Sequence, residues 1–199
     1  MESAKSLIRF LFLFSYQPQN GWFYNTRFFV IVVYMQKKTI QRILGIDPGY
    51  GRIGWGVIEG GGNTWKHVAH GCIETDKALP LVPRLASIQT YLQDVMAQHS
   101  PTHSAVEELF FYKNVTTGIG VAQARGVILL SLHLYNLPIV EVTPLQVKQA
   151  ITGYGRAQKG QIQQMIKMLL CLPKKPLQDD AADALAVALT ASPMIRMIR

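Results

Sequence analysis

ILGIDPGYGRIGWGVIE, residues 43–59, is the stretch that decides the fold. ILGID (43–47) is short and apolar, and Pro48-Gly49 breaks it, as a strand running into a turn would be broken. IGWGVIE (53–59) reads as a second strand. Gly60 to Asn63 make the next turn, and TWKHVAHGCIET (64–75) reads as a third strand. Three strands joined by short turns form an antiparallel meander. Beyond it the period changes. Leu85, Ile88, Leu92 and Val95 fall at helical spacing, which predicts an amphipathic helix over 82–98. SAVEELF (104–110) predicts a fourth strand. Residues 115–135 predict a long helix, in which Gly118, Gly120 and Gly126 need support from close packing. LPIVEVT (137–143) predicts a fifth strand. Pro144 opens a helix at its first turn, where a missing N–H costs little. Two more helices are expected, over 157–171 and, past Pro173 and Pro176, over 179–191. The order β-β-β-α-β-α-β-α-α-α predicts an α/β fold: a five-stranded mixed sheet, the meander plus two parallel strands, with helices on both faces.

The composition suits one folded domain: 199 residues, 49% of them hydrophobic. The formal net charge of +8 points to an anionic partner, whether nucleic acid, acidic protein or lipid surface. Cys72 and Cys171 are far apart and form no Cys-x-x-Cys pair, so neither a zinc cluster nor a disulfide framework is supported. A reducing, cytoplasmic setting fits, with both cysteines as small core residues. The first 34 residues differ from the rest. They are rich in Phe and Tyr, and their two apolar pieces, LIRFLFLFSY and FFVIVVY, are each too short to span a bilayer. Residues 1–34 are expected to be an atypical extension, either a misassigned translation start or a loose, disordered segment. Residues 35–199 are expected to form the domain, which keeps a net charge of +6.

Near the end of this basic chain, QDDAADALAVALT (178–190) sets three acids against an apolar run. On a helix Asp180 and Asp183 share a face, and Leu185 and Leu189 lie on another. The free N–H groups of a helix start suit Asp179, as N-cap, and extend to its neighbour Asp180; they explain Asp183 less well. A divalent metal explains the pair better, because hard Mg²⁺ takes carboxylate oxygens and phosphates. Asp47 ends the first strand and Glu107 lies in the fourth. If those strands are neighbours, four carboxylates meet, enough to hold two ions about 3.5–4 Å apart for phosphodiester hydrolysis.

GIDPGYGRIGWGVIE, AVEELFFYKN, AQARGV, QVKQAITGYGRAQKGQIQQM and DDAADALAVALT resemble, in order and near-matching spacing, the signatures of RuvC-type Holliday-junction resolvases. The resemblance runs from Ile43 to Thr190. It implies an RNase H-like fold, a homodimer, two Mg²⁺ per active site with Mn²⁺ as a substitute, and paired nicks in four-way DNA junctions during recombination and repair. It implies Asp47, Glu107, Asp180 and Asp183 as catalytic and metal-holding carboxylates. It also implies Phe110 as a base-stacking aromatic and Lys148 and Lys159 as basic residues beside the active site, with Lys113 and Asn114 as weaker DNA contacts and Arg125 read as either that or structural. RuvA and RuvB are the implied protein partners; no membrane is. The apolar helix 115–135 is implied as a dimer face.

Some features depart from the family's pattern. Asp179 adds an acid before the matched pair. Glu108 adjoins Glu107 but points to the opposite face of its strand. The KKP linker is one residue longer than is usual for the family, and the extension before Met35 is foreign to it. His67, His70, His99, His103 and His133 form no ligand spacing. Three other readings compete: a YqgF-like nuclease acting on RNA or hybrids, a junction-binding protein without catalysis, and an actin-like or sugar-kinase ATPase, for which 199 residues leave little room.

Overall fold

In the computed structural model, residues 9–14, 29–34, 40–109, 115–173 and 175–195 are described. The chain divides into two units, Met1–Thr39 and Ile40–Arg199. The first holds two strands, β1 (Arg9–Phe14) and β2 (Phe29–Tyr34), paired antiparallel with Arg9 opposite Tyr34 and Phe14 opposite Phe29. Their β-branched and aromatic content suits a ladder.

The second unit runs β3 (Gln41–Asp47), β4 (Arg52–Gly61), β5 (Thr64–Glu74), α1 (Leu81–His99), β6 (His103–Glu107), α2 (Val115–Leu134), β7 (Ile139–Val142), α3 (Pro144–Thr152), α4 (Lys159–Leu169) and α5 (Asp179–Ile195). The sheet order is β5-β4-β3-β6-β7. β3, β4 and β5 form the antiparallel meander, and β6 and β7 join β3 in parallel. The expected five-stranded mixed sheet is therefore the observed one. β6 stops three residues earlier than expected. Its ladder with β7 ends at Glu107–Val142, and β7 must end there because Pro144 opens α3.

Alternation along β3 assigns the two faces. Leu44 and Ile46 join Ile53, Val57, Ile88, Leu92, Ala124 and Ile128 in one core, beneath α1 and α2. Ile43 joins Val140, Val147, Ile162, Leu185 and Ala188 in the other, beneath α3, α4 and α5. Asp47 is in phase with Ile43, so it faces α5. On β6, Ala105 belongs to the α5-side core and Val106 to the opposite one, so Glu107 also faces α5. α5 lies close on the sheet because both surfaces are small. Ala181, Ala182, Ala184, Ala186, Ala188 and Ala191 are all buried. A β-carbon on Gly45 would stand 2.1 Å from Ala184 O, so only glycine admits the helix there.

Local signals place the remaining helices. Thr143 and Gln146 cap α3 reciprocally at 3.1 and 2.7 Å, and Gly153, at φ 73°, ends it. One expectation fails, that of two core cysteines. Cys72 is half-buried, and Cys171 is exposed: it sits in the turn after α4 with φ 51°, while Leu170 and Leu172 pack inward on either side. His67 and His70 make a hydrogen-bonded pair, with His67 Nε2 2.7 Å from His70 Nδ1. A register shift in the β4–β5 ladder at Val57/Ile58 inserts an extra β5 residue and brings two side chains three positions apart onto one face. No described helix is long and apolar enough to cross a membrane.

Candidate active site

The C-terminal ends of β3 and β6 lie side by side, Ile46 opposite Val106, so the next residues, Asp47 and Glu107, are neighbours on the α5 face. The first turns of α5 bring Asp180 and Asp183 over them. Gly54, opposite Asp47 on β4, makes this possible: its missing β-carbon would lie 1.9 Å from Asp180 O. Elements far apart in the chain thus bring the four carboxylates into one pocket.

Their electrostatics report the convergence. Burial pushes the Asp47 carboxyl up to about 8, with Glu107, Asp183 and Asp180 adding to the rise and Lys159 opposing it. Burial likewise pushes Glu107 up to about 7, reinforced by Asp183; a hydrogen bond from Asp47 and the charge of Lys148 pull the other way. Neighbouring half-buried charges of one sign cannot all ionise cheaply. Asp183 is raised, first by burial, with Lys159 offsetting part of the rise.

Two cations stand against the α5 pair. Lys159 Nζ, at the start of α4, is 3.0 Å from Asp183 Oδ2 and 3.5 Å from Asp179 Oδ2. Burial pulls the Lys159 ammonium down, but these acids outweigh it and hold it above its ordinary value. Arg52 Nε is 2.9 Å from Asp180 Oδ2, and Cys72 Sγ lies 3.7 Å from the same oxygen. Among the described residues no three His, Cys, Asp or Glu side chains stand at a spacing that could hold a metal ion as placed. The fit to Mg²⁺ is one of chemistry: four carboxylates with hard oxygen donors, two half-buried and poorly compensated, two paired to cations that an ion could displace.

Asp179 does not cap α5. The helix begins with Ala182 N donating to Gln178 O, and Asp179 turns to α4, where it accepts from Gln163 Nε2 at 2.7 Å. That bond and Lys159 hold its carboxyl below the ordinary range. Glu108 lies away from the pocket, beside Leu109, Ala122, Arg125 and Glu141. Arg125 takes the structural reading: its Nε donates to Glu107 O at 3.3 Å and its guanidinium pairs with Glu141, tying α2 to the ends of β6 and β7. Lys148, on α3, is half-buried, and its charge acts on Glu107. Phe110, Lys113 and Asn114 lie outside the described residues.

Sequence reasoning missed Arg52, Cys72 and Arg84. Arg84 is buried and has its guanidinium carbon 3.7 Å from the centre of the Tyr50 ring. It donates to Thr75 Oγ1 and Tyr50 O, and so anchors the loop that follows Asp47. The one signal available for Arg52 was its place across a tight turn from Asp47; Arg84 carried none, since its contacts come from loops distant in sequence.

The family model described as crossover junction endodeoxyribonuclease RuvC matches residues 43–191. The RuvC of Petrotoga mobilis is 57% identical over 146 residues, 73% of this chain and 90% of that protein. The RuvC of Thermosipho melanesiensis is 54% identical over 148 residues, 74% and 94% of the two chains. Among solved structures, T. thermophilus RuvC in complex with Holliday junction substrate is similar with a TM-score of 0.74 at 32% identity, covering 79% of this chain and 96% of that one. The yeast mitochondrial Holliday junction resolvase Ydc2 shares the fold, with a TM-score of 0.56 at 14% identity over 80% and 82% of the two chains.

Proposed function

The chain belongs to the RuvC family of crossover junction endodeoxyribonucleases, and from that premise we propose that it cuts four-way DNA junctions by metal-assisted hydrolysis in the pocket of Asp47, Glu107, Asp180 and Asp183. The observation that carries the reading is the convergence of these carboxylates at the ends of β3 and β6 under α5: burial raises Asp47 to about 8 and Glu107 to about 7, with Glu107, Asp183 and Asp180 adding to the rise at Asp47 and Asp183 to that at Glu107. Half-buried acids crowded by like charges do not help the fold; they suit a cation.

Mg²⁺, with Mn²⁺ as substitute, supplies an acidified water and a counter-charge for the leaving oxygen when bound. Asp47 and Glu107 would hold it from the sheet, and Asp180 and Asp183 from the helix. Lys148 and Lys159 neutralise phosphate of the bound strand, giving steep salt dependence. No protein nucleophile is involved, so no covalent protein–DNA intermediate forms. Phe110, Lys113 and Asn114 extend the DNA contact by family resemblance.

The protein acts as a homodimer, each protomer nicking one strand at symmetry-related positions. Support comes from α2, whose Ile119, Leu130 and Leu134 are exposed at 57%, 57% and 62%, an apolar stripe that would otherwise face water. RuvA and RuvB are the partners expected of the family, in the cytoplasm, and residues 1–34 are not assigned to the junction-cutting domain.

The test is a synthetic four-way junction incubated with purified protein, with and without Mg²⁺. Paired, symmetric, Mg²⁺-dependent nicks are expected. Asp47→Asn and Asp183→Asn should abolish cutting and keep junction binding. Nicking by either variant at the wild-type rate would show that the carboxylates are not the catalytic set. Binding without any nick would favour the non-catalytic reading.

A further inference from the structure

Arg52 belongs to the carboxylate pocket, yet the reaction as described does not use it. Strand alternation sets its direction. Gly54 and Gly56 face α5, lying against Asp180 and Leu185, so Arg52, two residues before Gly54, faces the same way, past the first turn of the helix. Its Nε stands 2.9 Å from Asp180 Oδ2 and 3.6 Å from Glu74 Oε1, and half of its side chain is exposed. Lys159 makes the matching arrangement at Asp183, also half exposed. The acids of α5 are flanked by two cations from different elements, and only Lys159 is anticipated by the family resemblance.

A guanidinium and a divalent ion compete for one carboxylate: each is attracted to it, and each repels the other. Arginine cannot yield by losing a proton, so it yields by moving. Its planar fork of donors suits a phosphate bidentately, and its exposure leaves it free to turn outward. We propose that Arg52 is a DNA-phosphate ligand held in reserve by Asp180. Without metal it neutralises the carboxylate; when a divalent ion takes Asp180, the guanidinium passes to a backbone phosphate of the bound strand. The inference rests on the pocket being a metal centre.

Two measurements test it. In the DNA-free protein, Mn²⁺ binding is followed by electron paramagnetic resonance for wild type, Arg52→Gln, Arg52→Lys and Asp47→Asn. Losing the competing ion pair should tighten Mn²⁺ binding in Arg52→Gln by about threefold, the scale of an exposed pair. With all four carboxylates intact, junction binding is measured against salt in Ca²⁺, an oxygen-preferring divalent ion used so that binding is read without turnover. Arg52→Gln should weaken binding and make the slope of log K against log salt shallower by about 0.9, one phosphate contact. Arg52→Lys should stay near wild type in both. Opposite signs for metal and DNA are the signature. A variant that weakens both has lost structure, and one that changes neither has lost nothing relevant; either overturns the proposal. If wild type binds no Mn²⁺, or Asp47→Asn binds it equally well, the metal-centre reading fails and this inference falls with it.

Discussion

Replacing Gly54 by alanine tests whether the contact between β4 and α5 sets the pocket. The new β-carbon would stand 1.9 Å from Asp180 O, 2.4 Å from its carbonyl carbon and 3.1 Å from its Cα. All three are backbone atoms, so no side-chain rotation relieves the clash. Ordinary contact begins near 3.4 Å, so the first turn of α5 must recede by about 1.5 Å at that point. Asp180 and Asp183 move with it, while Asp47 and Glu107 stay on the sheet. Misplacing positioned groups by about 1 Å costs on the order of 10²-fold in rate. Overpacking costs about 1–3 kcal/mol of stability, and each kcal/mol lowers Tm by about 2–4 °C for a domain this size. The assay is single-turnover cutting of a labelled four-way junction, with calorimetry for Tm. Cutting should fall by about two orders of magnitude in a protein still folded at the assay temperature. Gly160→Ala is the control. A β-carbon there meets nothing within 4 Å, so activity should hold and stability should rise by about 0.4–1 kcal/mol. Near wild-type cutting by Gly54→Ala with an unchanged Tm would refute the reasoning, because the helix would then not be seated on that glycine.

Stability in metal-free buffer should fall as pH rises. Asp47 and Glu107 go from 3.8 and 4.5 to about 8 and about 7 on folding, so between about pH 4 and 8 the folded state binds more protons than the unfolded one. A raised acid contributes fully below its unfolded value and loses that contribution through its folded one; Mg²⁺ should flatten the decline, as should Asp47→Asn, in melts taken across that range. Thr143→Ala removes the cap of α3, the helix that carries Lys148, and should cost about 1 kcal/mol in denaturant titrations. Leu130→Glu places a charge in the exposed stripe of α2 and should split the proposed homodimer in sedimentation, leaving single rather than paired nicks.

Much of the pocket was legible from single positions. Asp47 at a strand end, Glu107 in the fourth strand and the Asp180–Asp183 spacing on a helix are local facts, and local periodicity carries them. The strand order that makes β3 and β6 neighbours was only conditional in the sequence, and the structure supplies it. Asp179 looked like a cap because capping preference is local, but α4 lies close enough to claim its side chain. The His67–His70 hydrogen bond is not legible from alternation, which separates positions three apart; one bulge brings them onto one face.

By itself, then, the sequence determined the order and type of the elements and the acids that point to a metal, because each follows from the repeat of a single segment and the resemblance of its motifs. The tertiary structure alone decided which cations meet those acids, that Arg52 reaches Asp180 while Lys159 takes Asp183, that Arg84 locks the loop after Asp47, and that Cys171 faces water. Those contacts join residues up to more than a hundred positions apart. Their energies depend on where whole elements come to rest against each other, and no local pattern encodes that.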